Sequence, residues 1–272
     1  MNMIFDQEMC TQCGICAEIC PMGIIFRDAQ NMPYIPDNMG SACTRCGNCE
    51  AFCPESAISP LFETEHSVID DAVLPGITPE RLGLYMRKRR SIRNYKDEVV
   101  DRSTIENMLD VIRFAPSGVN NQPVHWLIVH DPKQVQKLTR LTIDWMREIV
   151  ASDTPNPMKP VMQGLIAAYA NGKDPICRGA PHLAIAHALA DNPMAYTDSI
   201  IALSWFELAA PAFGLGACWA GFLKMAATSC KPVTDELGLP EGHAVQYAMM
   251  FGYPQYEVCN IPGRLPSRIA WK

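Results

Sequence analysis

Cys10, Cys13, Cys16 and Cys20 stand in the run CTQCGICAEICP, and their spacing recurs at an offset of 33 residues in Cys43, Cys46, Cys49 and Cys53. Both runs end in Cys-Pro. Three thiolates spaced two residues apart can wrap a turn of backbone around one polynuclear centre, with the intervening amides facing its sulfurs, so the fourth donor must come from elsewhere. Zinc sites are built differently, from two cysteine pairs separated by a longer loop. Each copy continues into an apolar pair, Ile24-Ile25 and Ala57-Ile58. A repeat of this kind predicts a pseudo-symmetric module with two centres, and one-electron transfer is the chemistry they perform.

The stretch from residue 3 to 60 resembles bacterial ferredoxins carrying two [4Fe-4S] clusters. In that arrangement the fourth cysteine of each run serves the other cluster. The resemblance therefore implies that Cys53 completes the set Cys10, Cys13 and Cys16, and that Cys20 completes Cys43, Cys46 and Cys49. Eight of the twelve cysteines fall within the first 53 residues, and residues 1–62 hold seven acids against Arg27 and Arg45. That contrast with the rest of the chain predicts a ferredoxin-like domain over 1–62, a linker over 63–78 and a second domain over 79–272. The linker is rich in acids and contains Pro75-Gly76 without a clean period.

The second part alternates helical and strand-like segments, so it is mixed α and β. Thr78-Pro79 predicts a helix start leading to Arg89. Ser103 to Glu106 has the form of a capping box ahead of an amphipathic helix. WLIVH (126–130) and HLAIAHAL (182–189) read as strands, with a long helix from Asp131 on. Residues 197–213 are apolar almost all round, which predicts a helix buried on every side or between subunits, ended by Gly214. ACWAGFL (217–223) and VQYAMMFGYP (245–254) are expected as two further strands.

Two stretches in this part carry polar groups suited to a ligand. In RRSIRNY (89–95) the alternate positions Arg89, Ser91 and Arg93 would share a side and present two forked cations and a hydroxyl to something anionic or carbonyl-rich. A solvated basic run at a helix end would look the same. In FAPSGVNNQPVHWLIV (114–129) a helix breaks at Pro116 into a loop with Ser117, Gly118, Asn120 and Gln122, a source of neutral donors and acceptors or an ordinary connection.

Taken together, and with the closing P-G-R-L-P at 262–266, these stretches resemble the FMN-binding nitroreductase family from about residue 80 to 270. The resemblance implies an α+β sandwich that forms a homodimer with FMN at the subunit interface. It places Arg89, Ser91 and Arg264 at the phosphate and ribityl end, with Arg90 in the same motif. Arg93 would lie against the N1 and O2 edge of the flavin, where a guanidinium stabilises the charge of the reduced form. Pro116, Ser117, Gly118, Asn120 and Gln122 would reach the flavin from the partner subunit, and the backbone of Ala220 and Gly221 would face N5 and O4. Val124 stands where many relatives carry an aromatic residue. Residues 152–176 would cover the open flavin face and set substrate choice.

The function implied is an iron-sulfur flavoprotein oxidoreductase. Reduced ferredoxin or NAD(P)H would donate electrons, the two [4Fe-4S] clusters would relay them to FMN, and a nitro compound, quinone, activated alkene or halogenated aromatic would accept them. Delivery of electrons to another protein, and chemistry on reduced flavin itself, are the alternative readings. The net charge of -6 gives no support to nucleic-acid binding. The longest apolar run, 208–223, is interrupted by Pro211 and three glycines, so no membrane span is expected. The acidic start argues against export and for a cytoplasmic location. GLGACWAG lacks the third glycine of a dinucleotide fingerprint. His182 and His187 are expected as core or edge residues of their strand, and Cys177, Cys218, Cys230 and Cys259 as buried apolar positions.

Overall fold

The computed structural model describes residues 4–59 and 76–272. They fall into two compact units: the residues before Ile77 together with Gly118–Asn121, and Ile77–Ser117 together with Gln122–Lys272. The expected boundary at 62 and most of the expected linker lie outside the described residues.

The 33-residue repeat of the first unit is written into its backbone. Gln12 and Arg45, Gly14 and Gly47, Gly23 and Ser56 are pairs at that offset, and all six have positive φ. Gly14 and Gly47 sit at φ 79° and 75° directly before the short helices α1 (Ile15–Glu18) and α2 (Asn48–Ala51). The left-handed region costs glycine nothing, which explains its presence at both starts. Gly23 N–H donates to the Cys20 carbonyl and Ser56 N–H to the Cys53 carbonyl, closing equivalent turns behind the two prolines. A two-stranded ribbon, β1 (Phe26–Arg27) with β2 (Pro33–Tyr34), lies between the copies. Ile24, Ile25, Cys49 and Ile58 form the small core, with Phe5, Cys20, Cys43 and Cys53 packed against it. The apolar pair behind each cysteine run thus supplies the interior.

The second unit is built on an antiparallel sheet of order β3-β4-β6-β5. Its strands are β3 (His125–Val129), β4 (His182–Leu189), β5 (Gly216–Trp219) and β6 (His243–Gly252). The central strand β4 is buried on both faces up to Leu189, so its sequence runs apolar rather than alternating. Helices α4 (Arg102–Ile112), α5 (Pro132–Ala151), α6 (Lys159–Ala170), α7 (Ala195–Ala209), α8 (Gly221–Ser229) and α9 (Lys231–Leu237) cover both sides, while α3 (Pro79–Lys88) has no buried residue. One apolar core joins α5, α6, α8 and α9 to the sheet through residues such as Met146, Met162, Leu183 and Val233. The other joins α4 and α7 through Met108, Ile112, Leu203 and Phe206. The architecture is the expected α+β layering.

Several details depart from expectation. Helix α4 begins at Arg102 with Asp101 in the N-cap position and no side-chain cap, so the capping box at Ser103 is not formed. ACWAGFL is not one strand: the chain leaves the sheet after Trp219, and α8 starts at Gly221, where Ala220 turns at φ -95°, ψ 63°. The segment 152–176 contains helix α6. Helix α7 is not buried on every side within one chain, since Tyr196 and Trp205 are 52% and 38% exposed. Cys177, Cys218 and Cys230 are buried as expected, whereas Cys259 is exposed.

Candidate functional site

In the first unit the structure groups the cysteines across the repeat. One cavity of about 320 Å³, measured with its open mouth, is lined by Cys20, Cys43, Cys46 and Cys49. The second, about 370 Å³, is lined by Cys10, Cys13, Cys16 and Cys53. Each thus takes three cysteines from one run and the fourth from the other. Among the described residues no three such side chains converge as ligands of a single metal ion; the thiols stand round a space instead. Backbone amides already face sulfur, from Gln12 to Cys10 at 3.4 Å and from Ala57 to Cys53 at 3.2 Å. Burial pushes the Cys49 thiol up to about 11, ahead of the opposing Glu50 amide. A thiolate there needs cationic partners close by, and iron provides them. Four thiols, amide donors and an apolar wall are the donor set of an iron-sulfur cluster, so the residues fit that group.

Asn120 belongs to this unit in the structure. Its side-chain amide donates to the carbonyls of Thr44 at 3.2 Å and Arg45 at 2.9 Å. Val119, Asn120 and Gln122 take φ of 47°, 53° and 47°, a left-handed turn that asparagine tolerates better than valine does. Gly118 opens that turn, accepting from the Asn121 amide.

In the second unit the segment after α3 runs beside β5. Ile92 N–H donates to the Ala217 carbonyl at 3.0 Å, and Tyr95 pairs with Pro254. The approach requires Gly216, because a Cβ there would sit 2.5 Å from Ile92 Cγ1. Tyr95 pins the strand by donating to the Ile92 carbonyl at 2.6 Å. Burial holds its hydroxyl well above the usual tyrosine range, so it stays a donor.

This docking brings Ser91 and Arg93 to one place. Burial raises the Cys218 thiol, and Arg93 and the Ser91 hydroxyl act against that shift, as does Arg178. Arg178 is the residue that sequence reasoning missed. It adopts φ 59° on a loop tied down by Asp174, whose carboxylate accepts from the amides of Ile176, Cys177 and Gly179.

Arg89 makes an ion pair with Glu207 at 2.7 Å, the two side chains being 27% and 15% exposed. The second Glu207 oxygen accepts from the Trp219 indole at 3.1 Å. Trp219 in turn meets Tyr247 edge-on at 5.0 Å between ring centroids, and Tyr247 Oη lies 3.3 Å from where a Cβ on Gly221 would be. Arg90 is half-buried beside Arg89, and Pro116 is exposed in the following loop. Ser117 Oγ accepts from the Gln122 amide at 3.0 Å and closes that loop.

Ala220 N–H donates to the Ala248 carbonyl at 2.9 Å, so its amide is committed to the sheet. The amide of Gly221 instead opens α8, where first-turn N–H groups have no helical partner. Arg264 lies on the exposed C-terminal segment, and no hydrogen bond or ion pair among the described residues ties it to Arg89 or Ser91. Arg93, Arg178 and the Ser91 hydroxyl all act on Cys218, as does Glu207, the partner of Arg89, and these residues form a cationic donor set. It fits a ligand with a phosphate and an electron-rich ring, so FMN is compatible with the residues present.

Residues 86–253 match the model of the nitroreductase family, and residues 9–58 match that of the 4Fe-4S dicluster domain. A protein of Archaeoglobus fulgidus, provisionally named NADH dehydrogenase/NAD(P)H nitroreductase, is 28% identical over 169 residues, covering 62% of this chain and 83% of its own. A nitroreductase with bound FMN from Desulfitobacterium hafniense shares the fold at TM-score 0.58 and 19% identity, over 72% of this chain and all of that one. Another from Bacteroides fragilis, also with bound FMN, does so at TM-score 0.55 and 21% identity, over 70% and 94%.

Proposed function

This chain belongs to the nitroreductase family and is an FMN-dependent oxidoreductase, and on that premise we propose that it carries electrons from reduced ferredoxin through two [4Fe-4S] clusters to FMN, or takes them as hydride from NAD(P)H directly at FMN, and passes them on to a small organic acceptor. The observation that carries the relay is the cross-paired lining of the two cysteine cavities. When bound, the clusters supply single-electron steps at low potential and FMN supplies two-electron reduction of the acceptor.

The chain's own residues divide the work. Cys10, Cys13, Cys16 and Cys53 hold one cluster, and Cys43, Cys46, Cys49 and Cys20 the other. Because Cys20 and Cys53 cross over, the two centres share one small core and keep a fixed separation. Arg89, Arg90 and Ser91 bind the phosphate end. Arg93 and Arg178 would place positive charge beside the flavin and so favour its reduced form. The amide of Gly221, in the first turn of α8, would face the hydride-leaving edge of the flavin. Ser117 and Gln122 keep their loop closed, and helix α6 within 152–176 shapes access for the acceptor.

A homodimer is part of the proposal. One chain leaves Tyr196 and Trp205 of α7, Leu82 and Met86 of α3, and Leu265 and Trp271 of the C-terminal segment in solvent. Apolar exposure of that extent is what a subunit interface covers, and a partner is also the means by which Arg264 would reach a flavin. Among the described residues no helix is long and apolar enough to cross a membrane.

Anaerobic stopped-flow with reduced ferredoxin or NAD(P)H, followed by mixing with nitroaromatics, quinones, activated alkenes and haloaromatics, tests the function. A small acceptor should reoxidise the protein far faster than buffer does. If none does, the reductase reading fails and delivery to another protein replaces it. Iron and flavin analysis of anaerobically purified protein should return about eight irons and one FMN per chain.

A further inference from the structure

We propose that His125, His187 and His243 form a binding site for one divalent cation of borderline softness, of which Zn²⁺ is the probe, joining three strands of the sheet. The site lies outside the residues assigned above and does not depend on the proposed electron relay.

His125 is the first residue of β3 and stands directly opposite His187 in the β3–β4 register. His243 is the first residue of β6 and pairs with Leu189, two residues beyond His187. An irregularity between Ala186 and His187, where the β6 partner jumps from Tyr247 to Val245, re-aims the His187 ring. Nδ1 of His187 and Nδ1 of His243 consequently face each other at 2.9 Å. The His125 ring centroid is 5.5 Å from that of His187 and 4.9 Å from that of His243.

The contrast with the chain's other histidine pair is informative. His130 and His182 stack at 4.5 Å, and the backbone takes up their nitrogens: His182 Nε2 accepts from the Val100 amide, His182 Nδ1 faces the His130 carbonyl, and His130 Nε2 faces the Val100 carbonyl. That pair is a structural clamp. Among the described residues no backbone group bonds the rings of the trio: Nδ1 of His187 and Nδ1 of His243 face one another, and the His125 ring makes no hydrogen bond.

Two opposed imidazole nitrogens 2.9 Å apart either share a proton or accept a cation between them. Tetrahedral zinc with Zn–N of about 2.0–2.1 Å places its nitrogens about 3.3 Å apart, so an opening of about 0.4 Å suffices. As the side chains stand, no three donors converge. The exposed His125, its ring unbonded at the start of its strand, supplies the third by a turn of its side chain, and water supplies the fourth. Burial, followed by the neighbouring His243 and His125, lowers the His187 ring to about 4. It is therefore neutral at neutral pH, the ligating form, and protons compete weakly. Imidazole nitrogen selects zinc, cobalt, nickel or copper over magnesium and calcium.

The test uses protein loaded with its iron and flavin, dialysed at pH 7.5 against Zn²⁺ and analysed for zinc, iron and FMN. The wild type should take up one zinc per chain that His187→Gln and His243→Gln lack, with iron and flavin unchanged in all three. His125→Ala, at an exposed position where folding is not at risk, should bind at least tenfold more weakly. Zinc should raise the melting temperature of the wild type alone, because it ties β3, β4 and β6 together. Equal zinc uptake by the wild type and the variants, or none by the wild type, would show that the histidines only share a proton and would overturn the proposal.

Discussion

Replacing Glu207 by leucine tests the scaffold under the arginine cluster. The carboxylate sits in the last turn of α7, with one oxygen 2.7 Å from Arg89 and the other 3.1 Å from the Trp219 indole. Leucine suits the helix but leaves two donors behind. The indole N–H loses a bond worth about 1 kcal/mol. The ion pair lies between the exposed case, worth at most about 1 kcal/mol, and the fully buried one, where stranding a partner costs about 3–5 kcal/mol. With side chains 27% and 15% exposed, about 2 kcal/mol is appropriate, for a total near 3 kcal/mol. For a domain of this size that corresponds to a fall in melting temperature of about 6–12 °C, read by calorimetry at saturating FMN. Arg89→Met should also destabilise, and the double variant should lose less than the sum, since the second change removes a charge the first had stranded. A fall under about 2 °C, or strict additivity, would refute the claim that Glu207 holds Arg89 in place.

Other outcomes follow from the same geometry. Cys53→Ser should yield the same residual iron-sulfur spectrum as Cys10→Ser, and Cys20→Ser the same as Cys49→Ser; matching of Cys53→Ser to Cys49→Ser by electron paramagnetic resonance would disprove the crossed ligation. Gly216→Ala drives a methyl to 2.5 Å from Ile92 Cγ1, so it should cost about 1–3 kcal/mol and weaken FMN binding measured by fluorescence titration, with Ile92→Ala as the rescuing second change. Acid should destabilise the second unit early. His182 is fully buried, and burial first, then His130, lowers it from 6.5 to about 4. Its neutral form is therefore favoured by folding, with the full contribution present above about pH 6.5. That contribution is lost as pH falls from there towards 4, on the order of 3 kcal/mol. Denaturant midpoints should be flat between pH 7 and 8 and drop between 6 and 4; a flat profile down to pH 4 would show that His182 titrates normally.

The sequence by itself determined the parts whose chemistry is local. Two cysteine runs at one offset carry their own turn geometry, so the repeat reappears in positive-φ residues at matching positions. The residue patterns of α3 and β4, and of the start of α5, likewise placed them to within a residue. Tertiary structure decided what depends on residues far apart in the chain meeting. Nothing near Glu207 in sequence marks it as the partner of Arg89, 118 positions away. Arg178 acts on the same thiol as Arg93, that of Cys218, from a loop that Asp174 holds. ACWAGFL divides because the sheet ends at Trp219 and the Ala220 amide is taken by Ala248, a pairing that short-range hydrophobicity does not encode. The three histidines at the strand ends carry no motif at all, since their meeting is a matter of register, and register is set by how the whole sheet packs.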